Sequence, residues 1–165
     1  MPSILFICTA NQIRSPIAAG LFVAMLKKAG RQAGWRVESA GTWATEGLPA
    51  NRTAQHIMQA NGVDLSMHRT RCVTGVLLEG VDLILVMEEG HKEALQVEFP
   101  SVAPRVFLLA EMSGTTWDVA DPSSAADDHD RVGETVRVIL KLLTRGFDRI
   151  CALAGAPPPT HVALR

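Results

Sequence analysis

The chain has 165 residues, of which 47% are hydrophobic and 20% are charged, a composition that excludes wholesale disorder and fits a single globular domain. A formal net charge of -1 gives no electrostatic footprint for nucleic acid or for an anionic membrane. The three cysteines are odd in number and far apart, so neither a disulfide framework nor a metal site is indicated. With no signal peptide and no apolar run long enough to span a bilayer, we expect a cytoplasmic protein with reduced thiols.

Apolar segments alternate with segments of helical periodicity along the chain. Strands are predicted at residues 3–8, 35–39, 81–87 and 105–109. Helices are predicted from Ser15-Pro16 to Gly30 and at residues 50–60, 70–79, 88–98 and 127–147. Such alternation predicts an α/β domain with a parallel sheet over residues 1–150. Residues 151–165 include three consecutive prolines and are predicted to form a mobile tail.

The loop after the first predicted strand holds a cysteine and an arginine separated by five residues, in the run Cys8-Thr9-Ala10-Asn11-Gln12-Ile13-Arg14. A loop of this length before a helix can wrap its N–H groups around a tetrahedral oxyanion, with the thiol beneath the phosphorus and the guanidinium over two oxygens. The helix N-terminus favours the thiolate, which is the nucleophilic form of cysteine. The pattern indicates phosphoryl transfer through Cys8 without a metal or cofactor. An ordinary buried cysteine at a strand end is the alternative interpretation of Cys8.

Cysteine-dependent phosphoryl transfer needs a carboxylic acid to protonate the leaving group and later to activate water. Asp121 is the candidate, because Pro122 holds the preceding residue extended and helps to present its carboxyl group over a pocket. Asp-Pro is also an ordinary turn signal. Asp118, three positions earlier, is a rival acid.

Motifs along the chain, taken together and in order, resemble the low-molecular-weight protein tyrosine phosphatase family, whose bacterial members include protein arginine phosphatases. They are the Cys8–Arg14 loop with Ser15-Pro16, the run from Ser39 to Thr42, the stretch from Gly62 to Arg71, the strand from Asp82 to Met87, and Asp121-Pro122. The resemblance spans roughly residues 3 to 145. These motifs in this order are far more specific to the family than any one of the motifs alone. It implies a four-stranded parallel sheet flanked by helices on both faces and a two-step hydrolysis of phosphomonoesters without a cofactor.

The resemblance also implies a role for each matching residue. Cys8 is the expected nucleophile, Arg14 is expected to clamp the phosphoryl group, and Asp121 is expected to act as acid and then as base. Ser15 is expected to hydrogen-bond the Cys8 sulfur and to help it leave as thiolate. Residues 8–15 therefore form the expected phosphate loop, with Thr9, Ala10, Asn11, Gln12 and Ile13 between the two reactive groups.

Asn11, Ser39 and His68 are expected, again from the resemblance, to form a polar network that holds the phosphate loop in its strained conformation. Two residues depart from the family pattern. Ala10 stands where the family usually has glycine, and Ile13 stands where many members carry a second cysteine.

The substrate is less sharply defined, because Ser123 and Ser124 follow Asp-Pro where phosphotyrosine enzymes of the family commonly place aromatic residues. Trp43 is a candidate stacking wall for a substrate ring, and a tryptophan that covers the edge of the core is the alternative. Gln12 is neither the threonine of phosphoarginine-hydrolysing relatives nor the bulky aliphatic residue of many tyrosine-directed ones. The prediction is a protein tyrosine phosphatase acting on phosphoproteins or small aryl phosphates, with protein arginine phosphatase as the alternative.

Other classes of protein with this scaffold fit the sequence less well. A thiol-dependent arsenate reductase needs two further cysteines placed to relay a disulfide, and Cys72 and Cys151 lie on separate elements. A non-catalytic anion-binding module or a phosphocysteine carrier has no use for both Arg14 and Asp121. The sequence does not indicate an oligomeric state.

Overall fold

Four parallel strands form the centre of the molecule in the computed structural model, which describes residues 1–155. They are β1 (Ser3–Cys8), β2 (Arg36–Gly41), β3 (Leu83–Val86) and β4 (Val106–Leu108), and their order across the sheet is β2-β1-β3-β4. Each neighbouring pair is parallel, which confirms the predicted sheet. Because the strand order reverses at β1, the crevice beyond the carboxyl end of β1 is the expected ligand site of such a sheet.

Five α-helices lie within the described part of the chain: α1 (Arg14–Lys28), α2 (Arg52–Ala60), α3 (Gly75–Glu79), α4 (Glu89–Glu98) and α5 (His129–Leu153). Side chains cap three of them, since Asn51, Thr74 and Asp128 accept hydrogen bonds from the first-turn N–H groups of α2, α3 and α5. Short 3₁₀ segments occupy Pro100–Arg105, Leu109–Ser113 and Ser123–Ala125.

Both faces of the sheet are covered, which explains why β1 is apolar without alternation. Ile4 and Phe6 pack into a core on the side of α1, α2 and α5. Leu5 and Ile7, which point to the opposite face, pack into a second core together with residues of α3 and α4. β1 is therefore clamped between two cores, and its last residue, Cys8, is held in a fixed position.

The predicted helix at residues 70–79 is wrong over its first half. Residues 70–74 are not helical, and Cys72 forms an isolated parallel bridge with Gly41 at the end of β2. Hydrogen bonds from Gly41 N to Arg71 O and from Val73 N to Gly41 O, each 2.9 Å, tie this segment to the sheet. These tertiary bonds replace the local i to i−4 pattern, so α3 begins only after its cap at Thr74.

The last helix continues to Leu153, beyond its predicted end at Phe147, because Ile150 and Cys151 are still buried against the core. It therefore crosses the predicted boundary between a domain of residues 1–150 and a tail of residues 151–165. The prolines at positions 157–159, on which the predicted tail depends, lie outside the described residues. Among residues 1–155, no helix is both long enough and apolar enough to cross a membrane.

Candidate active site

The phosphate loop connects β1 to α1, and its carbonyl groups are held from outside the loop. Those of Cys8, Thr9, Asn11 and Gln12 each accept one hydrogen bond of 2.8 to 2.9 Å. The donors are, in that order, Thr42 N, Trp43 N, His68 Nε2 and Asn51 N. With these carbonyls fixed outward and none of the bonds using an N–H of residues 9–13, the loop can turn its N–H groups toward an anion.

Asn11 is fully buried and has a left-handed backbone with φ of 59°. Its Nδ2 donates to Ser15 Oγ at 2.8 Å and to Ser39 Oγ at 3.0 Å, and its Oδ1 accepts from Arg71 N at 3.0 Å. Asparagine adopts this conformation more readily than most residues, and three side-chain hydrogen bonds offset the remaining strain. The network predicted around Asn11, Ser39 and His68 is thus present as a set of contacts.

His68 completes this network through a contact with the backbone of Asn11. Its Nε2 lies 2.8 Å from the Asn11 carbonyl oxygen, which can only accept, so Nε2 carries the proton. Burial, followed by the positive charges of Arg71 and Arg69, lowers the pKa of His68, although the bond to Asn11 opposes this shift. An uncharged imidazole with its proton on Nε2 therefore supports the loop at neutral pH.

Cys8 is 3% exposed, and its sulfur lies 3.0 Å from Ser15 Oγ. Because Ser15 Oγ already accepts a hydrogen bond from Asn11 Nδ2, its own hydroxyl proton is available for a hydrogen bond to the sulfur. A weaker alternative acceptor, the Ala40 carbonyl, lies 3.4 Å away. The hydroxyl is thus in place to stabilise a thiolate.

Arg14 is 2% exposed and is compensated by two carboxylates. Its NH1 donates to Glu88 Oε1 at 2.5 Å and to the Val119 carbonyl at 2.8 Å, and its NH2 lies 3.4 Å from Asp121 Oδ2. A buried guanidinium is stable only when it is paired and hydrogen-bonded in this way. Glu88 and Val119 fix the guanidinium beside the loop.

The two candidate acids have different surroundings. Asp118 Oδ1 accepts the N–H of Glu89 at 2.7 Å, so Asp118 satisfies a free donor at the start of α4. Asp121 lies beside Arg14, and its Oδ1 accepts from Ser123 N at 3.0 Å. Asp121, and not Asp118, lines the cavity that contains Cys8.

This cavity has a volume of about 240 Å³ and brings together most of the predicted site residues. It is lined by Cys8, Thr9, Ala10, Gln12, Ile13, Arg14, Asn51, Asp121, Ser123 and Ala126. Trp43 is not among the lining residues. Trp43 is 84% exposed, so it does not cover the edge of the core, and its N–H donates to the Thr9 carbonyl of the phosphate loop.

Cys8, Arg14 and Asp121 thus line one cavity, and comparison with known proteins places the chain in a family. The family model for low molecular weight phosphotyrosine protein phosphatases matches residues 3–151. The chain belongs to this family. The Cys8–Arg14 loop, the Asn11 network and Asp121 all fall within the residues matched by the low molecular weight phosphatase model.

Individual relatives of this phosphatase carry two different names. A "Probable low molecular weight protein-tyrosine-phosphatase EpsP" of Ralstonia nicotianae is 39% identical over 120 residues, which are 73% of this chain and 77% of that protein. A "Protein-arginine-phosphatase" of Bacillus subtilis is 31% identical over 148 residues, 86% of this chain and 97% of that protein. The crystal structure of the low molecular weight protein tyrosine phosphatase from T. tengcongensis superimposes with a TM-score of 0.84 at 33% identity, covering 90% of this chain and 99% of that one.

Glu88 and His91 contact the phosphate loop of this phosphatase but were not predicted from the sequence. Glu88 pairs with Arg14, and His91 Nε2 lies 2.8 Å from Thr9 Oγ1. A signal was available, because Glu88 directly follows the strand predicted at residues 81–87 in a parallel sheet. Residues that directly follow such neighbouring strands meet at the same edge, where the ligand site lies.

Gly41 at the end of β2 is predicted to be essential for the shape of the phosphate loop. A Cβ at this position would lie 2.4 Å from the Thr9 carbonyl oxygen and 3.1 Å from Asn11 N. Gly41→Ala must therefore push the loop off β2, and we expect a loss of roughly 1–3 kcal/mol in the free energy of unfolding together with most of the activity. Urea denaturation and hydrolysis of p-nitrophenyl phosphate measure the two effects.

Gly90 in α4 offers a matched control for this substitution. A Cβ at Gly90 has no heavy atom within 4 Å, and helix propensity favours alanine by up to about 1 kcal/mol. Gly90→Ala should therefore leave the stability unchanged or slightly raised. A Gly41→Ala protein as stable and as active as the Gly90→Ala protein would contradict the proposed close approach.

Proposed function

We propose that this protein is a protein tyrosine phosphatase that hydrolyses phosphotyrosine in phosphoproteins, and small aryl phosphates, through a phosphocysteine intermediate. The observation that carries the proposal is that Cys8, Arg14 and Asp121 line one cavity, although Asp121 lies more than 100 positions away in the sequence. We further propose that it acts in the cytoplasm on phosphoproteins, without a bound cofactor.

In the first step, the Cys8 thiolate attacks phosphorus from the base of the cavity. The bond from phosphorus to the leaving oxygen breaks, and Asp121 donates a proton to that oxygen. The N–H groups of the phosphate loop and the Arg14 guanidinium stabilise the three equatorial oxygens of the transferring group. Glu88 holds the guanidinium in this orientation through the 2.5 Å contact with its NH1.

In the second step, water attacks the phosphocysteine, and Asp121, now a carboxylate, takes a proton from that water. The sulfur leaves as a thiolate. Ser15 assists its departure, because its hydroxyl lies 3.0 Å from the sulfur and receives a hydrogen bond from Asn11. The products are inorganic phosphate and the free enzyme.

Phosphoarginine in proteins is the second candidate substrate. A serine at position 123 lines the cavity directly after Asp121-Pro122, where an aromatic wall for a tyrosine ring is absent. The neutral Gln12 also lines the cavity and can hydrogen-bond a polar guanidine. The relatives named protein-arginine-phosphatase, at 34% and 31% identity, support this candidate.

Turnover of two phosphopeptides that share one sequence, with either phosphotyrosine or phosphoarginine at the same position, distinguishes the candidates. We expect kcat/KM for the phosphotyrosine peptide to be higher by about tenfold or more, measured as phosphate release at neutral pH. A preference of similar size for phosphoarginine would replace the first candidate by the second. The Cys8→Ser protein is the control for both peptides, and residual turnover by that variant would contradict the mechanism itself.

The arsenate reductase alternative finds no support in the position of the cysteines. Cys151 is buried in α5 within the core, and burial raises the pKa of its thiol, which disfavours the thiolate needed for disulfide exchange. Cys72 donates through its sulfur to the Ala44 carbonyl oxygen at 2.8 Å. Neither cysteine lines the cavity of Cys8.

A further inference from the structure

His91 is a buried histidine to which the proposed reaction gives no task. It is the third residue of α4 and is 6% exposed. Its Nε2 lies 2.8 Å from Oγ1 of Thr9, which directly follows the nucleophile and lines the cavity. A histidine so placed can control the direction in which the Thr9 hydroxyl donates its proton.

The surroundings of the other ring nitrogen decide which one carries the proton. Nδ1 of His91 is buried and has no hydrogen-bond partner among the described residues. A proton there would be a buried donor without an acceptor, which is more costly than the bond that Nε2 can make. The proton therefore lies on Nε2, which donates to Thr9 Oγ1. The hydroxyl of Thr9 then keeps its own proton for another acceptor.

Four charged groups act on this imidazole from three directions. Glu88 Oε2, at the start of α4, lies 4.0 Å from Nε2, Arg14 approaches from α1, and Asp118 and Asp121 lie on the segment before the last helix. Burial has the largest effect and lowers the pKa of His91, assisted by Arg14 and opposed by Glu88, Asp118 and Asp121. The ring is thus uncharged at neutral pH. Protonation at lower pH would add an unmatched Nδ1–H and strengthen the attraction of Nε2–H to Glu88 Oε2, which competes with Thr9 Oγ1 for that N–H.

We propose that His91 is a positioning residue that, as an uncharged imidazole, orients the Thr9 hydroxyl to donate to an oxygen of the bound phosphoryl group. His91 itself does not touch the substrate. The proposal rests on the proposed function, since it assigns a further residue to the same site. Its consequence is that the two side chains act as one unit, and that the unit fails when His91 gains a proton.

A double-mutant cycle with p-nitrophenyl phosphate tests the coupling. We expect His91→Asn and Thr9→Val each to lower kcat/KM by about threefold to tenfold, the value of one hydrogen bond. The kcat/KM of the double variant should be no lower than that of the more impaired single variant, because both changes remove the same interaction. Thr9→Ser, which retains the hydroxyl, should recover most of the activity that Thr9→Val loses. Losses that multiply in the double variant would overturn the proposal.

His56 is the matched control, because it is exposed on α2 and outside the cavity. His56→Asn should leave kcat/KM unchanged. The folded state of every variant is compared by thermal unfolding and by competition with inorganic phosphate. If His91→Asn does not fold, the Thr9 variants and the pH profile still decide the question.

The pH dependence gives a readout that a purely structural role of His91 would not change. The ratio of kcat/KM between the wild type and Thr9→Val cancels the ionisation of the substrate and of groups common to both proteins. We expect this ratio to be constant above the pKa of His91, where the ring is uncharged, and to fall toward one below it. A ratio that is independent of pH down to the acid limit of folding would overturn the proposal.

Nitrogen NMR of the imidazole shows the tautomer and the protonation of His91 directly, without a measurement of catalysis. In the Cys8→Ser protein we expect His91 to carry its proton on Nε2 at neutral pH and to titrate below an ordinary histidine. A ring protonated on Nδ1 would overturn the proposal. If the wild type hydrolyses no aryl phosphate, the proposed function fails. In that case the tautomer and the phosphate affinities of the Thr9 and His91 variants still decide the role of His91.

Discussion

Cys8→Ser is expected to reduce the hydrolysis of aryl phosphates and phosphotyrosine to background, a loss of about 10⁴-fold or more in kcat. A serine hydroxyl in the same place is almost entirely un-ionised at neutral pH, so the attacking anion is lost. The loop does not depend on the sulfur, because Asn11, Ser39 and His68 hold it through other atoms. Phosphate binding should therefore persist. Stopped assays of phosphate release and competition by inorganic phosphate measure the two properties.

Cys72→Ser provides the control for the loss of a thiol. The Cys72 sulfur donates to the Ala44 carbonyl oxygen outside the cavity, and a serine hydroxyl can make the same bond. The activity of the Cys72→Ser protein should equal that of the wild type. An active Cys8→Ser protein would show that Cys8 is not the nucleophile. A Cys72→Ser protein as inactive as Cys8→Ser would show that the loss of activity is not specific to Cys8.

The residue pattern alone best predicts the parts of the site whose residues lie close together in the chain, whereas Ser39 and His68 were assigned only from the family resemblance. The nucleophile, the arginine and the start of α1 occupy one continuous run, and a strand followed directly by a helix fixes their relative positions. Asn11 was assigned to the support network from the family resemblance, and its left-handed backbone, with φ of 59°, is a conformation that asparagine adopts more readily than most residues. The parallel sheet followed from the alternation of strands and helices.

Contacts between distant segments were not predictable in the same way. Glu88 and Arg14 are 74 positions apart, and His91 and Thr9 are 82 positions apart, so no local pattern links them. The segment 70–74 was assigned to a helix because its bonds to Gly41 are tertiary and leave no trace in the local sequence. Asp121 was predicted as the acid from its place before Pro122, with Asp118 as the rival, and the structure adds that Asp121, and not Asp118, lines the cavity.

Asp121→Asn is expected to lower kcat for phosphotyrosine by about 10²- to 10⁴-fold, while phosphate affinity stays within a few-fold. The amide keeps the size of the side chain and its bond to Ser123 N but has no proton to give to the leaving oxygen. The loss should be smaller with p-nitrophenyl phosphate, because a more acidic leaving group needs less protonation. Steady-state kinetics with both substrates measures this difference.

Asp118→Asn is the matched variant, three positions earlier in the same segment. Asparagine satisfies a helix N-terminus about as well as aspartate, so the bond to Glu89 N can persist and kcat should change by less than about threefold. A general acid, unlike a helix cap, cannot be replaced by an amide. If Asp118→Asn proves the more damaging change, or if Asp121→Asn loses equally with both leaving groups, the proton comes from another residue. Two substitutions of identical chemistry thus separate the carboxyl group that caps α4 from the one that faces the cavity.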